Sequence, residues 1–372
     1  MGLRDLKIGS PNLKHGAAEG IVMQALSAPP AERVTSQVAR GQRGKRWLGL
    51  LVLAALVAVA VLLSVAYGAN SLTLGQVWHG LWSPNGTEGD IVVRRLRLPR
   101  TALALVAGLA LGVAGALMQG HTRNPIADPV VLGVSAGAGM CVVASISLLG
   151  IGGLYGYIWF GFVGAAVASA IVYLVGTLAR GGATPITLAL AGAAVHALFT
   201  ALTAGMVIMD RAALDTYRFW TVGSVSGRPI ETTVQLLPFI AIGLLLAAAN
   251  APGLNALSLG EDVARSLGVR IGATRATGMA AITLLTGAAV AVCGPIGFVG
   301  LVATHVARHF TGPDYRWIVA YSGLLGAALM VAADTLGRLV ARPGELEVGI
   351  MLALLGGPVF VYLVRRVKPV RL

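Results

Sequence analysis

An all-α, polytopic membrane fold with about ten transmembrane helices is predicted by three features of this sequence. Hydrophobic residues fill 56% of its 372 positions and charged residues only 12%, which is more apolar surface than a water-soluble core of this length hides. The apolar residues come in unbroken runs such as LVLAALVAVAVLL from Leu51 to Leu63. An outer-membrane barrel would alternate instead, so the runs select helices. The 50 glycines and abundant alanines inside the runs suit helices that approach closely in lipid.

Residues 1–47 are polar and, in RGQRGKR (Arg40 to Arg46), strongly basic, with Pro29-Pro30 and no sustained periodicity. They read as a disordered cytoplasmic tail. The first apolar run begins near Trp47, too far in for a cleaved secretory signal, so it is expected to remain as an anchor. Ten spans are expected, near 48–68, 98–120, 131–150, 157–179, 187–209, 231–249, 272–293, 296–309, 317–340 and 346–364. The eighth is about two-thirds of a standard crossing. An even number places both termini on one side. With the termini inside, 19 of the 28 Lys and Arg residues are inside against 9 outside, the orientation that basic-residue bias selects. The net charge of +13 is thereby explained by topology rather than by nucleic-acid binding.

Between the sixth and seventh spans, residues 250–270 carry a candidate short helix. Ser258 and Glu261 have capping-box spacing, Glu261 and Asp262 suit the positive end of a helix, and Gly268 can end it. Leu259, Val263 and Leu267 form one apolar stripe, expected to lie on the chain's own body, with Asp262 and Arg265 off it and available to a partner. The pattern alone fits an ordinary solvated connector equally well.

The residue types narrow the function. Acidic residues well inside the spans are few, Asp334 being the clearest, which disfavours an ion-coupled carrier. Asp334 is expected to pair with a neighbouring helix. No GxxxxGK[ST] occurs, so ATP, if it drives this chain, is bound elsewhere. His305 and His309 lie four apart without a third ligand, and Cys141 and Cys293 are isolated. Neither pair argues for a metal site.

Four ordered blocks, RLRLPRTALALVAGLALGVAGALMQGHTRNPIADPVVLGVSAGAG (Arg95 to Gly139), LSLGEDVARSLGV (Leu257 to Val269), GPIGFVGLVATHVAR (Gly294 to Arg308) and ADTLGRLVARPGELEVGI with LLGGPVFVYLV (Ala333 to Val364), resemble the FecCD-type permeases, the membrane subunits of ABC importers for iron-siderophores, haem and vitamin B12. The resemblance covers about residues 48–368. It implies the vitamin B12 permease-like fold and a bacterial cytoplasmic-membrane location. It also implies a permease with no catalytic residues and no cofactor of its own, ATP and Mg belonging to separate cassette ATPase subunits. The other implied partners are an extracytoplasmic substrate-binding protein, a second permease subunit and membrane lipid, with no nucleic acid.

Residue by residue, the resemblance makes Ser258, Leu259, Gly260, Glu261, Asp262, Ala264, Arg265, Leu267 and Gly268 the segment that couples to the ATPase. It makes Arg97, Arg100 and Arg338 the docking sites for glutamates of the binding protein, work that suits planar guanidinium forks. The competing reading of any one arginine is contact with lipid headgroups, the only role foreseen for Arg94 and Arg95. Asn124, Pro125, Asp128 and Pro129, with Thr184 of the fourth connection, are implied to form a cytoplasmic gate. Their Asn-Pro and Asp-Pro pairs predict a turn that stops helix formation, which a plain connector also satisfies. The chain departs from the family pattern at Ala303-Thr304-His305, where a proline is usual, and at Glu345-Leu346-Glu347-Val348-Gly349, where Glu347 replaces a proline. Both departures bear on local helix shape, and Glu347 adds an exterior charge near Arg338.

Overall fold

The computed structural model describes residues 31–151, 153–178 and 184–366, so residues 1–30 of the expected tail lie outside them. Two units form, Met1–Gly49 and Leu50–Leu372. The first is helical from Ala31 onward, and the second holds the helical bundle. No strand occurs among the described residues. In chain order the helices are α1 (Ala31–Ala66), α2 (Leu74–Trp82), α3 (Glu88–Thr122), α4 (Ser135–Ser147), α5 (Leu154–Leu178), α6 (Pro185–Met209), α7 (Arg211–Val222), α8 (Ile230–Ser258), α9 (Glu261–Ser266), α10 (Ile271–Cys293), α11 (Val299–Thr311), α12 (Tyr315–Val340) and α13 (Val348–Arg366).

Each expected span contains one of these helices. Seven are long and apolar enough to cross a bilayer, and the shorter α4, α11 and α13 account for the other three spans. Two helices were not anticipated. The polar, amphipathic α7 and the nine-residue α2 carry too few consecutive apolar residues to register as spans.

α3 is the centre of the bundle, with α8, α10, α11 and α12 around it and α4, α5 and α6 forming a second group beyond. Small residues permit this. A Cβ on Gly112 would lie 2.1 Å from the Ser322 carbonyl oxygen of α12, and one on Gly115 would lie 2.4 Å from Gly300 Cα of α11. The backbones therefore touch directly, the contact that drives helix association where lipid offers no hydrophobic gradient.

Caps and turns set the ends. Thr87 and Asp90 form a capping box that starts α3, and a π-helical turn over Val92–Arg97 carries three of its arginines. Such turns recur at functional positions. At the far end Arg123 adopts a left-handed conformation (φ 49°) and α3 stops.

The predicted start of the short helix is corrected. α8 runs through Pro252 to Ser258, whose hydroxyl donates to the Asn255 carbonyl. The cap of α9 is Gly260, at φ 115°, with no side-chain hydrogen bond. A helix already running through Ser258 removes the extended backbone that a serine cap needs.

Candidate functional site

The candidate side chains gather at two ends of the bundle, the α2 end and the α9 end, joined by α3 and α8.

At the α2 end, the last turn of α1 leaves carbonyls without helical partners, as every helix terminus does. Arginines supply the donors. Arg97 donates to the Val65, Ala66 and Asn70 carbonyls at 2.8, 2.7 and 2.6 Å. Arg338 donates to the Ser64 and Tyr67 carbonyls and to Ser64 Oγ at 3.1, 3.2 and 2.7 Å. Cations at a helix C-terminus also face the favourable end of its dipole. Arg94, foreseen only at lipid headgroups, instead donates to the Gly80 and Leu81 carbonyls at the end of α2.

Arg100 makes the third arrangement. Its Nε donates to both carboxylate oxygens of Asp334 (2.9 and 3.0 Å), and its Nη1 reaches Ser226 Oγ (3.1 Å) and Glu345. Asp334, fully buried, also meets Arg338 Nη2 at 3.2 Å. It thus pairs with α3 from its place on α12, as expected. A carboxylate shared by two buried guanidiniums is the compensation such charges need.

The three arginines, with Ser226, line one cavity of about 270 Å³, and Asp334 lies behind it. Arg97, Arg100 and Arg338, separated by up to 241 positions in sequence, meet there, joined by Arg95, Arg228 and Glu345. Arg228 is half-buried, and its Nε is enclosed without a hydrogen-bond partner. The sequence reading missed Arg228, Ser226 and Glu345. Arg228 lies before a proline in a polar loop with nothing local to distinguish it, and Glu345 was overlooked beside the unusual Glu347. The acidic residue that enters the cavity is Glu345; Glu347 does not line it.

At the α9 end, the helix is held by one strong pair. Arg275 of α10 donates to Glu261 at 2.6 Å, while Arg265 lies 3.6 Å from the same carboxylate and 3.2 Å from Asp262. Ala264 is the residue that packs inward, fully buried. Leu259, Val263 and Leu267 are 64%, 44% and 62% exposed. The stripe expected to lie on the chain's own body therefore faces away from it. With Gly260 starting the helix, the six-residue rod is turned so that Ala264 is its one buried residue.

The 123–129 turn lies beside this end. Arg123 donates to the Leu257 carbonyl at 2.7 Å, tying the end of α3 to the end of α8. Asn124 Oδ1 accepts from the Ile126 amide and Asp128 Oδ1 from the Val130 amide, the Asx turns that Asn-Pro and Asp-Pro favour. Asp128 Oδ2 accepts from the Phe298 amide (3.2 Å) at the start of α11, so this turn is fastened to the short helix. Thr184 accepts from the Thr187 amide and caps α6. Residues 179–183 before it lie outside the described residues. Deeper in, His121 Nε2 is 2.9 Å from Asn250 Oδ1, and Asn250 donates to the Thr274 carbonyl and to Thr277, connecting α3, α8 and α10.

Comparison with known proteins agrees with this architecture. The model of the FecCD transport family matches residues 56–366. The ferric enterobactin transport system permease protein of Escherichia coli is 42% identical over 322 residues, 86% of this chain and 94% of that protein. The hemin transport system permease protein of Yersinia pestis is 38% identical over 330 residues, 87% of this chain and 96% of its own length. A solved structure described as an inward-facing conformation of a metal-chelate type ABC transporter superposes with a TM-score of 0.73 at 27% identity, covering 86% of this chain and 98% of that one.

Proposed function

Since the chain belongs to the FecCD transport family, and is on that footing a multi-pass permease subunit of an ABC importer for iron-chelate ligands, we propose that it moves a siderophore-type ligand inward by ATP-driven alternating access. The observation that supports this best is α9. Its apolar stripe is exposed on a short helix braced by Glu261 and Arg275. A helix transmits displacement because its backbone bonds close internally, whereas a loop absorbs it. The stripe offers a cassette ATPase an apolar surface with charges at its margin, the pattern of a docking element.

In this reading α9 and the termini are cytoplasmic. The arginine cavity then faces outward and receives carboxylates of an extracytoplasmic binding protein, and the 123–129 turn with Thr184 narrows the inner mouth. ATP and Mg belong to the cassette subunits, and a second permease subunit completes the pathway. A haem or vitamin B12 ligand is the alternative, since a hemin permease and a cobalamin permease are each 38% identical to this chain.

The test is uptake of ferric siderophore in cells carrying Leu259→Asp with Leu267→Asp. Uptake falls at least about tenfold at unchanged membrane abundance if α9 engages an ATPase. Unchanged uptake overturns α9 as the coupling element.

A further inference from the structure

The arginine cavity contains a carboxylate of its own in the place where a partner's carboxylate would go. Arg100 has two ends. The inner one is closed by Asp334, which is fully buried and fixed by Arg338 as well. The outer one holds Glu345, whose side chain is 35% exposed and comes from the α12–α13 connection. Around it the cationic groups are in excess. Arg97 and Arg338 are committed to carbonyls of α1 and its exit. Arg228 keeps its Nε enclosed and unpartnered, and Arg95 is exposed at the rim. One partly exposed acid therefore sits among five arginines, two of which carry unused capacity.

The geometry points to Glu345 as an internal stand-in for the docking carboxylate. It holds the outer end of Arg100 in the unengaged permease, and an aspartate or glutamate of the binding protein, drawn in by Arg95 and Arg228, displaces it. The exchange trades one charge-assisted pair for another at the same guanidinium, so the socket is never left with an unpaired buried charge. It also makes docking felt inside the chain. Glu345 precedes Leu346, whose amide donates to the Gly337 carbonyl of α12, and lies four residues before Gly349, whose amide donates to the Gly223 carbonyl beyond α7. Release of Glu345 loosens the strap that joins α12, α7 and α13. The inference rests on the docking reading of this cavity and adds Arg228 and Glu345 to it.

The experiment uses the permease assembled with its cassette subunits in lipid nanodiscs and measures capture of a purified, siderophore-loaded extracytoplasmic binding protein. Glu345→Gln and the shorter Glu345→Asp, which no longer spans to Arg100, should each tighten capture about three- to tenfold by removing the competitor. Arg228→Gln should weaken it about tenfold, through slower association and a flatter salt dependence. A fluorophore at Gly344→Cys, with Cys141 and Cys293 replaced by alanine, should gain mobility on capture in the parent and be mobile beforehand in Glu345→Gln. Capture that is unchanged or weaker in both Glu345 variants, while Arg228→Gln weakens it, overturns the stand-in and leaves docking in place. Capture indifferent to Arg228→Gln, to Arg95→Gln and to salt overturns docking at this cavity altogether.

Discussion

Asp334 is the residue whose removal the structure makes most legible. Its carboxylate is fully buried and receives Arg100 through three contacts of 2.8 to 3.0 Å and Arg338 through one of 3.2 Å. Breaking a buried pair by deleting one partner costs about 3–5 kcal/mol, because the surviving charge is left uncompensated. Here two guanidiniums survive, yet the cost does not double. Arg338 keeps the Ser64 and Tyr67 carbonyls, and Arg100 keeps Ser226 and Glu345. Asp334→Ala is therefore expected near the top of that range, about 5 kcal/mol, and Asp334→Asn, which retains one acceptor, near about 3 kcal/mol.

Equilibrium unfolding in mixed dodecyl maltoside and dodecyl sulfate micelles, followed by tryptophan fluorescence, measures both. Adding Arg100→Met to Asp334→Ala should recover at least about 1 kcal/mol relative to the sum of the single changes, since the cation left stranded by one is removed by the other. An Asp334→Ala protein within about 1 kcal/mol of the parent, or strict additivity with Arg100→Met, refutes the reasoning.

Gly112→Ala places a methyl against the Ser322 backbone carbonyl, which cannot rotate away; the loss should be at least about 1–3 kcal/mol in the same unfolding measurement. Arg97→Met removes three donors from the end of α1. Hydrogen exchange over residues 63–70 should quicken, and stability should fall by about 1–2 kcal/mol, since the Val65 carbonyl is left buried while those of Ala66 and Asn70 are nearer solvent. Cysteines at Asn85, beside α2, and at Asp262, on α9, should react with a membrane-impermeant maleimide from opposite sides of sealed vesicles, Asp262→Cys from the cytoplasmic side. The reverse pattern would invert the proposed orientation.

Much of the bundle was legible because the period and length of apolar runs survive into three dimensions. The runs at 187–209 and 272–293 became α6 and α10 nearly to the residue, and the run at 98–120 became the later part of α3, which starts ten residues earlier at Glu88 because its first turns carry the charged residues Glu88, Asp90, Arg94, Arg95 and Arg97. Lateral placement was not. The stripe Leu259, Val263 and Leu267 announces an amphipathic helix, but nothing in its spacing says which face the body takes, and it is Ala264 that lies buried while the stripe is exposed. The cap at Ser258 failed because local spacing cannot register that α8 has not yet ended.

The arginines show the same limit. RLPR and the residues around Asp334 mark positions of interest, yet only the fold reveals that Arg97 closes the end of α1 while Arg228, 128 positions on from Arg100, completes the cavity. Long-range partners of this kind leave no trace in local pattern.

The glycine contacts along α3 carry a mechanical implication. Where backbones meet without intervening side chains, neither helix can slide past the other by a rotamer change, so α3 and α12 tilt as one spine. From Leu98 to Thr122 that spine is 25 residues, about 37 Å at 1.5 Å per residue. A rocking of about 5° about one end thus sweeps the other by about 3 Å, the width of a water molecule. Arg100 and Asp334 ride at one tip, and the turn that Asp128 fastens to α11 rides at the other. A small tilt imposed at one extremity is thereby converted into a displacement of ångströms at the opposite one.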